Sequence, residues 1–94
     1  MGFQWDAGKS AANEAKHGLA FIDAVEIFAR PVLVVEDRRR EYGERRWNAL
    51  GEVEGTVLHV TYTERDEDIR IISARRASRD ERETYWKFRK GRAL

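Results

Sequence analysis

Three candidate strands joined by very short polar turns constrain the fold more than any other feature of the sequence. Residues 56–64 alternate apolar and polar side chains, and the runs 45–53 and 69–74 flank them, a pattern typical of strands with one buried face. Only Glu54-Gly55 separates the first two runs, and residues 66–68 separate the last two. Links this short join antiparallel neighbours, so the chain is predicted to form an antiparallel sheet.

Helical signals precede these strands. Asp6 is placed to cap a helix over about residues 7–17, and Gly18 follows at the position of a C-terminal cap. A second helix is predicted after it, with a poor N-cap in Ala20 and an end at Pro31. The apolar face of this second helix consists of Phe21, Ala24, Val25 and Phe28.

The remaining segments complete the predicted fold. Residues 32–35 form a β-branched strand, and residues 3–5 form a short strand at the start. Residues 78–81 form a capping box for a C-terminal helix over about 79–90. This order indicates a single α+β domain over residues 1–94, an antiparallel β-sheet with two N-terminal helices and one C-terminal helix packed on it.

The net charge of +1 conceals a basic C-terminal third. Residues 65–94 carry 10 Lys or Arg against 6 Asp or Glu, and 14 of the 18 basic residues of the chain are Arg. A guanidinium presents a planar fork of donors that matches phosphate oxygens. The segment therefore suggests a polyanion or an acidic protein partner, although composition alone slightly favours an ordinary solvated surface.

Composition excludes several classes of protein. The chain has no cysteine, which excludes a disulfide framework and a thiolate zinc site. No apolar run approaches the roughly 20 residues of a membrane span, and the N-terminus lacks a signal-peptide pattern. A cytoplasmic protein without membrane contact fits these absences, but a cytoplasmic location does not follow from them. Two histidines form no recognisable metal motif, and we expect neither a metal nor a cofactor.

Arginines around the last predicted strand are the main candidates for a functional site. Arg65 precedes this strand, and Arg70, Arg75 and Arg76 lie within it or just after it. Strict alternation would place Arg70 and Arg76 on the face opposite Ser73 and Arg75. These cations suggest a pocket that grips a phosphate. Equally, they suit edge charges that prevent aggregation and pair with the acidic turn before the strand.

Other residues could transfer a proton or bind RNA. His17 follows Lys16 at the end of the first helix, where a histidine is more often a cap than a catalyst. His59 alternates with apolar residues and fits a packed or surface position on a strand. Tyr85 and Arg82 lie on the last helix, where aromatic rings among cations suit RNA because bases stack on the rings. Tyr85 also fits the core face of that helix.

Three blocks of sequence stand out by their order and spacing. They are Phe3–Asp6 with Asn13–Gly18 and Phe21; Glu44–Trp47 with Gly51; and Tyr62–Arg65 with Ile69–Ala77, Glu81 and Tyr85. Each block alone is unspecific. Together they run from Phe3 to Tyr85, nearly the whole chain, and resemble the BrnT toxins of BrnT/BrnA type II toxin–antitoxin systems.

The resemblance implies a RelE-like α+β fold and a ribonuclease that inhibits translation when it is free. It also implies a cognate BrnA antitoxin with a ribbon-helix-helix portion, and repression of the promoter DNA by the toxin–antitoxin complex. We interpret the activity as that of a metal-independent RNA endonuclease, in which a ribose 2′-OH attacks the adjacent phosphate. This reaction needs a base, an acid and cations around the phosphate.

Motif position and side-chain chemistry together suggest roles in this reaction. Arg65, Arg70 and Arg75 are expected to stabilise the charge of the transition state. His17 is the first candidate for proton transfer and Tyr85 is the second. Substrate binding is expected from Lys16, Ser73, Arg76 and Arg82.

The alternative function is that of a non-catalytic module. In this interpretation the basic C-terminal region only binds nucleic acid or an acidic protein. Such a module would bind RNA with a steep salt dependence and would release no cleavage products. A toxin that has lost its activity ranks last, because no position in the sequence is visibly disabled.

Overall fold

The α+β class and the order of elements predicted from sequence are confirmed by the structure, a computed structural model that describes residues 2–92. The strands are β1 (Phe3–Gln4), β2 (Leu33–Asp37), β3 (Arg46–Val53), β4 (Thr56–Arg65) and β5 (Asp68–Arg76). The helices are α1 (Ala7–His17), α2 (Phe21–Ala24), a 3-10 helix (Val25–Ala29) and α3 (Arg79–Arg92). None of these helices has both the length and the apolar character needed to cross a membrane.

The five strands form one sheet in the order β1-β5-β4-β3-β2. Strands β2 to β5 are antiparallel neighbours, as predicted. Strand β1 instead pairs parallel with β5, with Gln4 opposite Arg70, so the prediction of a purely antiparallel sheet is wrong at this edge. The Asp68 carboxylate holds β1 in place, because it accepts hydrogen bonds from Gly2 N at 2.9 Å and from Gln4 Nε2 at 3.2 Å.

A β-bulge in β5 decides which arginines share a face. The register between β4 and β5 skips Ile72, which is therefore the additional residue of the bulge. Directly paired residues of antiparallel strands point to the same side of the sheet. Arg70, Ser73 and Arg75 consequently share one face, whereas Arg76 lies on the other. The strict alternation predicted from sequence is wrong because it did not include the bulge.

Each face of the sheet carries an apolar core. Helix α2 and the 3-10 helix pack on one face, where Phe21 and Ile27 are fully buried against the central strands. Helix α3 packs on the opposite face through Tyr85, which is fully buried beside Val57 and Ala77. Because Val57 follows the β3–β4 turn, α3 covers only that end of the sheet and leaves the rest of this face to polar side chains.

The predicted caps of the two longer helices are confirmed. Asp6 accepts a hydrogen bond from Lys9 N at 2.9 Å at the start of α1, and Gly18 ends this helix with φ of 69°. At the start of α3, Glu81 accepts from Ser78 N at 2.8 Å, and the Ser78 hydroxyl accepts from Glu81 N at 3.2 Å. These local signals therefore specify where α1 begins and ends and where α3 begins.

The second helix is shorter than predicted. α2 ends at Ala24, and the chain continues as a 3-10 helix to Ala29. Ala20 provides no side-chain cap, as expected, but the Ser10 hydroxyl of α1 accepts a hydrogen bond from Phe21 N at 3.0 Å. A cap supplied by another helix thus replaces the missing local one.

Gly51 lies where the 3-10 helix approaches the sheet. A Cβ atom at this position would lie 2.6 Å from Ile27 Cβ and 3.2 Å from Val32 Cγ1. We expect Gly51→Ala to destabilise the fold by about 2 kcal/mol, because neither neighbour can move without disturbing the core. Urea denaturation measures this change. Gly91→Ala is the matched control, since nothing lies within 4 Å of the added methyl group, and an equal loss in both variants would contradict the account.

Candidate active site

Polar side chains occupy the part of the α3-side face that α3 leaves uncovered. Thr61 pairs with both Asn48 and Ser73 across neighbouring strands, and Thr63 pairs with Arg70. Arg65 lies two residues beyond Thr63 and therefore points to the same side. We call this surface the polar face. It consists of Arg46, Asn48, Thr61, Thr63, Arg65, Arg70 and Ser73.

A cavity of about 210 Å³ at one end of the polar face is lined mainly by charged groups. We call it the basic groove. Its charged lining consists of four cations, Lys9, Arg46, Arg65 and Arg70, and one carboxylate, Glu44. Like charges gathered at one place produce a positive potential that attracts anions. The groove is therefore suited to bind a phosphate group.

Lys9 reaches the groove because α1 runs along the outer edge of β5. Asn13 Nδ2 donates to Ala74 O at 2.8 Å, and Asn13 Oδ1 accepts from Ala74 N at 3.2 Å. Residues four apart lie on the same side of a helix, so Lys9 faces this edge as Asn13 does. The short β1 pairs only with residues 69–70 of β5. It therefore does not cover the edge of β5 at Ile72, which also lines the groove.

The arginines of the groove differ in how they are held. Arg46 Nε donates to Glu44 Oε2 at 3.1 Å, so a carboxylate partly neutralises this cation. Arg70 donates to the neutral amide oxygen of Gln4 at 3.2 Å. The side chain of Arg65 makes no hydrogen bond or ion pair with the described residues. Arg65 and Arg70 therefore keep their full charge for a ligand.

The acidic turn before β5 does not neutralise these cations. The Asp68 carboxylate is occupied by Gly2 and Gln4. Within residues 2–92, Asp66 and Glu67 form no ion pair. Of the two explanations left open by the sequence, the geometry therefore favours a phosphate-binding groove over charges that pair with the turn.

Arg75 and Glu81 form a separate unit where the polar face meets α3. The guanidinium donates to both carboxylate oxygens, at 2.8 and 2.9 Å, and this pairing lowers the pKa of Glu81 to about 2. His59 lies opposite Arg75 in the strand register. Burial and, second, the Arg75 guanidinium lower the pKa of His59, which favours the neutral form of this imidazole.

The Arg75–Glu81 pair should make stability depend on pH in the acid range. The lowered pKa of Glu81 means that its stabilising effect is complete above the ordinary value of 4.5 and is lost as pH falls towards 2. We expect Glu81→Gln to lower the free energy of unfolding at pH 7, and the gap to wild type to shrink at pH 3. Urea denaturation at both pH values tests this, with Glu83→Gln, on the exposed side of α3, as the control. A gap that is independent of pH would contradict it.

The sequence matches one model of a known protein family. The family model for BrnT, described as the ribonuclease toxin of type II toxin–antitoxin systems, matches residues 5–81. The chain belongs to the BrnT family. The resemblance found in the sequence is therefore confirmed, and all residues of the basic groove lie within the matched segment. A comparison with curated proteins finds no match.

In this BrnT protein, the predicted catalytic arginines are only partly brought together. Arg65 and Arg70 line the basic groove. Arg75 shares their face of the sheet but is engaged with Glu81. Ser73 also lies on this face, is exposed, and pairs with Thr61 across the sheet.

His17, Lys16 and Arg76 form a different cluster at the C-terminal end of α1. Arg76 Nη1 donates to the backbone oxygen of His17 at 3.2 Å. Lys9 and His17 are eight residues apart on α1, which corresponds to roughly 12 Å along the helix. The structure therefore does not bring the first candidate for proton transfer into the basic groove.

Tyr85 and Arg82 lie on α3, away from the groove. Tyr85 is fully buried, and its hydroxyl donates to Pro31 O at 2.8 Å and accepts from Arg89 Nη1 at 2.9 Å. A hydroxyl enclosed in this way has no contact with a substrate, so the placement argues against the proton-transfer role expected for Tyr85. Arg82 is exposed and donates to Ala77 O at 3.1 Å.

Three charged residues of the groove were not among the predicted site residues. Glu44 and Arg46 belong to the second block of the family resemblance, which was the only signal for them in the sequence. Lys9 carries no sequence signal of its own, because its position depends on how α1 meets the edge of β5. The basic groove thus combines a helix, a loop and three strands.

Proposed function

We propose that this BrnT toxin is a metal-independent endoribonuclease that cleaves RNA in the basic groove. A ribose 2′-OH attacks the adjacent phosphorus, and the products carry a 2′,3′-cyclic phosphate and a 5′-OH. The observation that carries the proposal is the gathering of four cations around one small cavity, three of which have no carboxylate partner among the described residues.

Charge stabilisation is the main contribution of the groove. The phosphate accumulates negative charge as the fifth oxygen approaches phosphorus, and donors already in position stabilise that charge without reorganisation. Arg65 and Arg70 are assigned to this task. Arg46 contributes a third cation, and its hydrogen bond to Glu44 fixes the orientation of the guanidinium group.

The charge pattern also supports cleavage without a metal ion. Magnesium sites in proteins are built from carboxylates, usually together with water and phosphate. In the basic groove a single carboxylate, Glu44, faces four cations, which repel a divalent ion. We therefore assign to the side-chain cations the electrostatic role that a metal ion plays in other nucleases.

Five of the remaining predicted residues are assigned to RNA binding. Ser73 is exposed on the polar face, where it is placed to bind a neighbouring phosphate, and Arg75 supports the same strand through Glu81. His17, Lys16 and Arg76 at the end of α1 are assigned to the RNA backbone rather than to chemistry, because they lie away from the groove. Arg82, which is exposed on α3, is assigned to the RNA backbone as well.

End-group analysis of cleaved RNA tests the proposed reaction. Purified protein is incubated with a defined RNA in EDTA, and the ends of the fragments are determined. We expect cyclic-phosphate and 5′-OH ends. Cleavage that stops in EDTA, or 5′-phosphate ends, would contradict the mechanism. Intact RNA with salt-sensitive binding would instead identify a non-catalytic module, and addition of ribosomes would separate that outcome from a ribosome-dependent enzyme.

We further propose that a BrnA-like ribbon-helix-helix antitoxin neutralises the toxin, that the complex represses its own promoter, and that the fold is related to RelE. The positive groove supports neutralisation by an antitoxin, because an acidic segment of that partner would compete with RNA for the groove. Expression of the toxin alone in bacteria should arrest translation. Growth that is not restored by co-expression of a BrnA-like ribbon-helix-helix protein encoded beside the toxin would contradict the proposed partner.

A further inference from the structure

The basic groove contains two side chains suited to exchange a proton with RNA. Arginine stays protonated in proteins, so the three guanidinium groups stabilise charge but cannot act as acid or base. The Thr63 hydroxyl is already committed, because it donates to Arg45 O at 2.6 Å. Lys9 and Glu44 are the remaining polar groups of the lining.

Glu44 is oriented with one oxygen available. Its Oε2 accepts from Arg46 Nε at 3.1 Å, and its Oε1 accepts no hydrogen bond from the described residues. The side chain retains 33% of its exposure. A carboxylate that is held through one oxygen and open at the other is placed to accept a proton from a bound substrate.

Lys9 presents an unpaired ammonium group to the same cavity. Its backbone is fixed by the N-terminal cap of α1, in which Lys9 N donates to Asp6. Its side chain is exposed and forms no ion pair within the described range of 2–92. The ammonium group carries three protons that it can donate, and it is the one cation of the groove lining that can also lose a proton readily.

We propose that Glu44 is the general base and Lys9 the general acid of RNA cleavage, an inference that rests on the proposed function. Glu44 takes the proton of the 2′-OH as O2′ forms a bond to phosphorus. The bond between phosphorus and O5′ breaks, and O5′ takes a proton from the Lys9 ammonium. The products are the cyclic phosphate, the 5′-OH, a protonated Glu44 and a neutral Lys9. Proton exchange with water then restores both side chains.

Two matched substrates distinguish an acid from a simple phosphate ligand. One is a short RNA, and the other is the same RNA with sulfur in place of the scissile O5′, since a thiolate leaves without protonation. We expect Lys9→Ala to slow cleavage of the oxygen substrate about 100-fold and to change cleavage of the sulfur substrate by less than about fivefold. Glu44→Gln should slow both substrates about 100-fold, because it removes the base but retains an acceptor for Arg46.

Lys9→Arg separates charge from proton donation. A guanidinium keeps the positive charge but cannot donate the proton, so this variant should be as slow as Lys9→Ala on the oxygen substrate. Lys87→Ala and Glu83→Gln, on the exposed side of α3, are the matched controls and should retain the wild-type rate. Circular dichroism and the Tm of each variant show that it is folded.

Three outcomes would overturn the assignment. They are an equal loss on both substrates in Lys9→Ala, full activity in Lys9→Arg, and a rate in Glu44→Gln within about threefold of wild type. If these variants remain active while Arg65 and Arg70 variants do not, only the acid–base assignment fails. If the wild-type protein produces no cyclic-phosphate ends, the proposed function itself fails.

Discussion

Replacing Arg70 or Arg65 by alanine is expected to slow single-turnover cleavage of RNA about 100- to 1,000-fold, the usual loss when one donor to a developing charge is removed. Both guanidinium groups line the basic groove, and neither is paired with a carboxylate of the residues that the structure describes. The loss should appear in the rate at saturating RNA as well as in affinity, because the charge that they stabilise is largest in the transition state.

Arg38→Ala is the matched control for these variants. Arg38 is 81% exposed and pairs with Glu36 at 2.8 Å, so its replacement removes the same charge at a position outside the groove. We expect this control to cut RNA within about threefold of the wild-type rate. If Arg38→Ala were as slow as Arg70→Ala, cleavage would depend on the overall charge of the protein and not on the groove.

Asn13→Ala is expected to cost about 3 kcal/mol of unfolding free energy, because it leaves buried backbone groups without partners. The Asn13 amide donates to Leu19 O and to Ala74 O, both at 2.8 Å, and accepts from Ala74 N at 3.2 Å. Asn13 thus provides hydrogen-bond partners for the outward-facing backbone groups of Ala74, which lies beyond the two residues of β5 that pair with β1. Glu14→Ala, at an exposed neighbouring position, is the control, and urea denaturation is the measurement.

Asn13→Ala should also slow RNA cleavage at temperatures where the protein remains folded. Asn13 attaches α1 to the edge of β5, and Lys9 depends on that attachment to reach the groove. We expect the cleavage rate to fall along with stability. A loss of stability similar to that of Glu14→Ala would show that the hydrogen bonds of Asn13 contribute little.

Local signals made most of the fold predictable. The caps at Asp6 and Gly18 and the capping box of residues 78–81 act within one helical turn, so the sequence alone reveals where α1 begins and ends and where α3 begins. The turn at Glu54-Gly55 is equally local, and both of its residues adopt positive φ. The family resemblance identified Arg65 and Arg70 because both residues lie in its third block of sequence.

Features that depend on distant contacts were not predictable in this way. Strand β1 is too short to reveal its partner, and its parallel pairing depends on Asp68. The bulge at Ile72 has no turn residue to mark it, yet it places Arg70 and Arg75 on one face. The role expected for Tyr85 relied on its hydroxyl and on nearby cations, whereas its burial depends on how α3 packs against the sheet.

The most direct test of the central claim is to map where RNA binds by NMR. The probe is a short RNA with 2′-O-methyl groups, which retains its phosphates but lacks the attacking hydroxyl. We expect the largest changes in amide shifts around Lys9, residues 44–46 and residues 63–72, and weaker changes at the end of α1. Changes concentrated on the exposed side of α3, around Arg82 and Trp86, with the basic groove unaffected, would contradict the account.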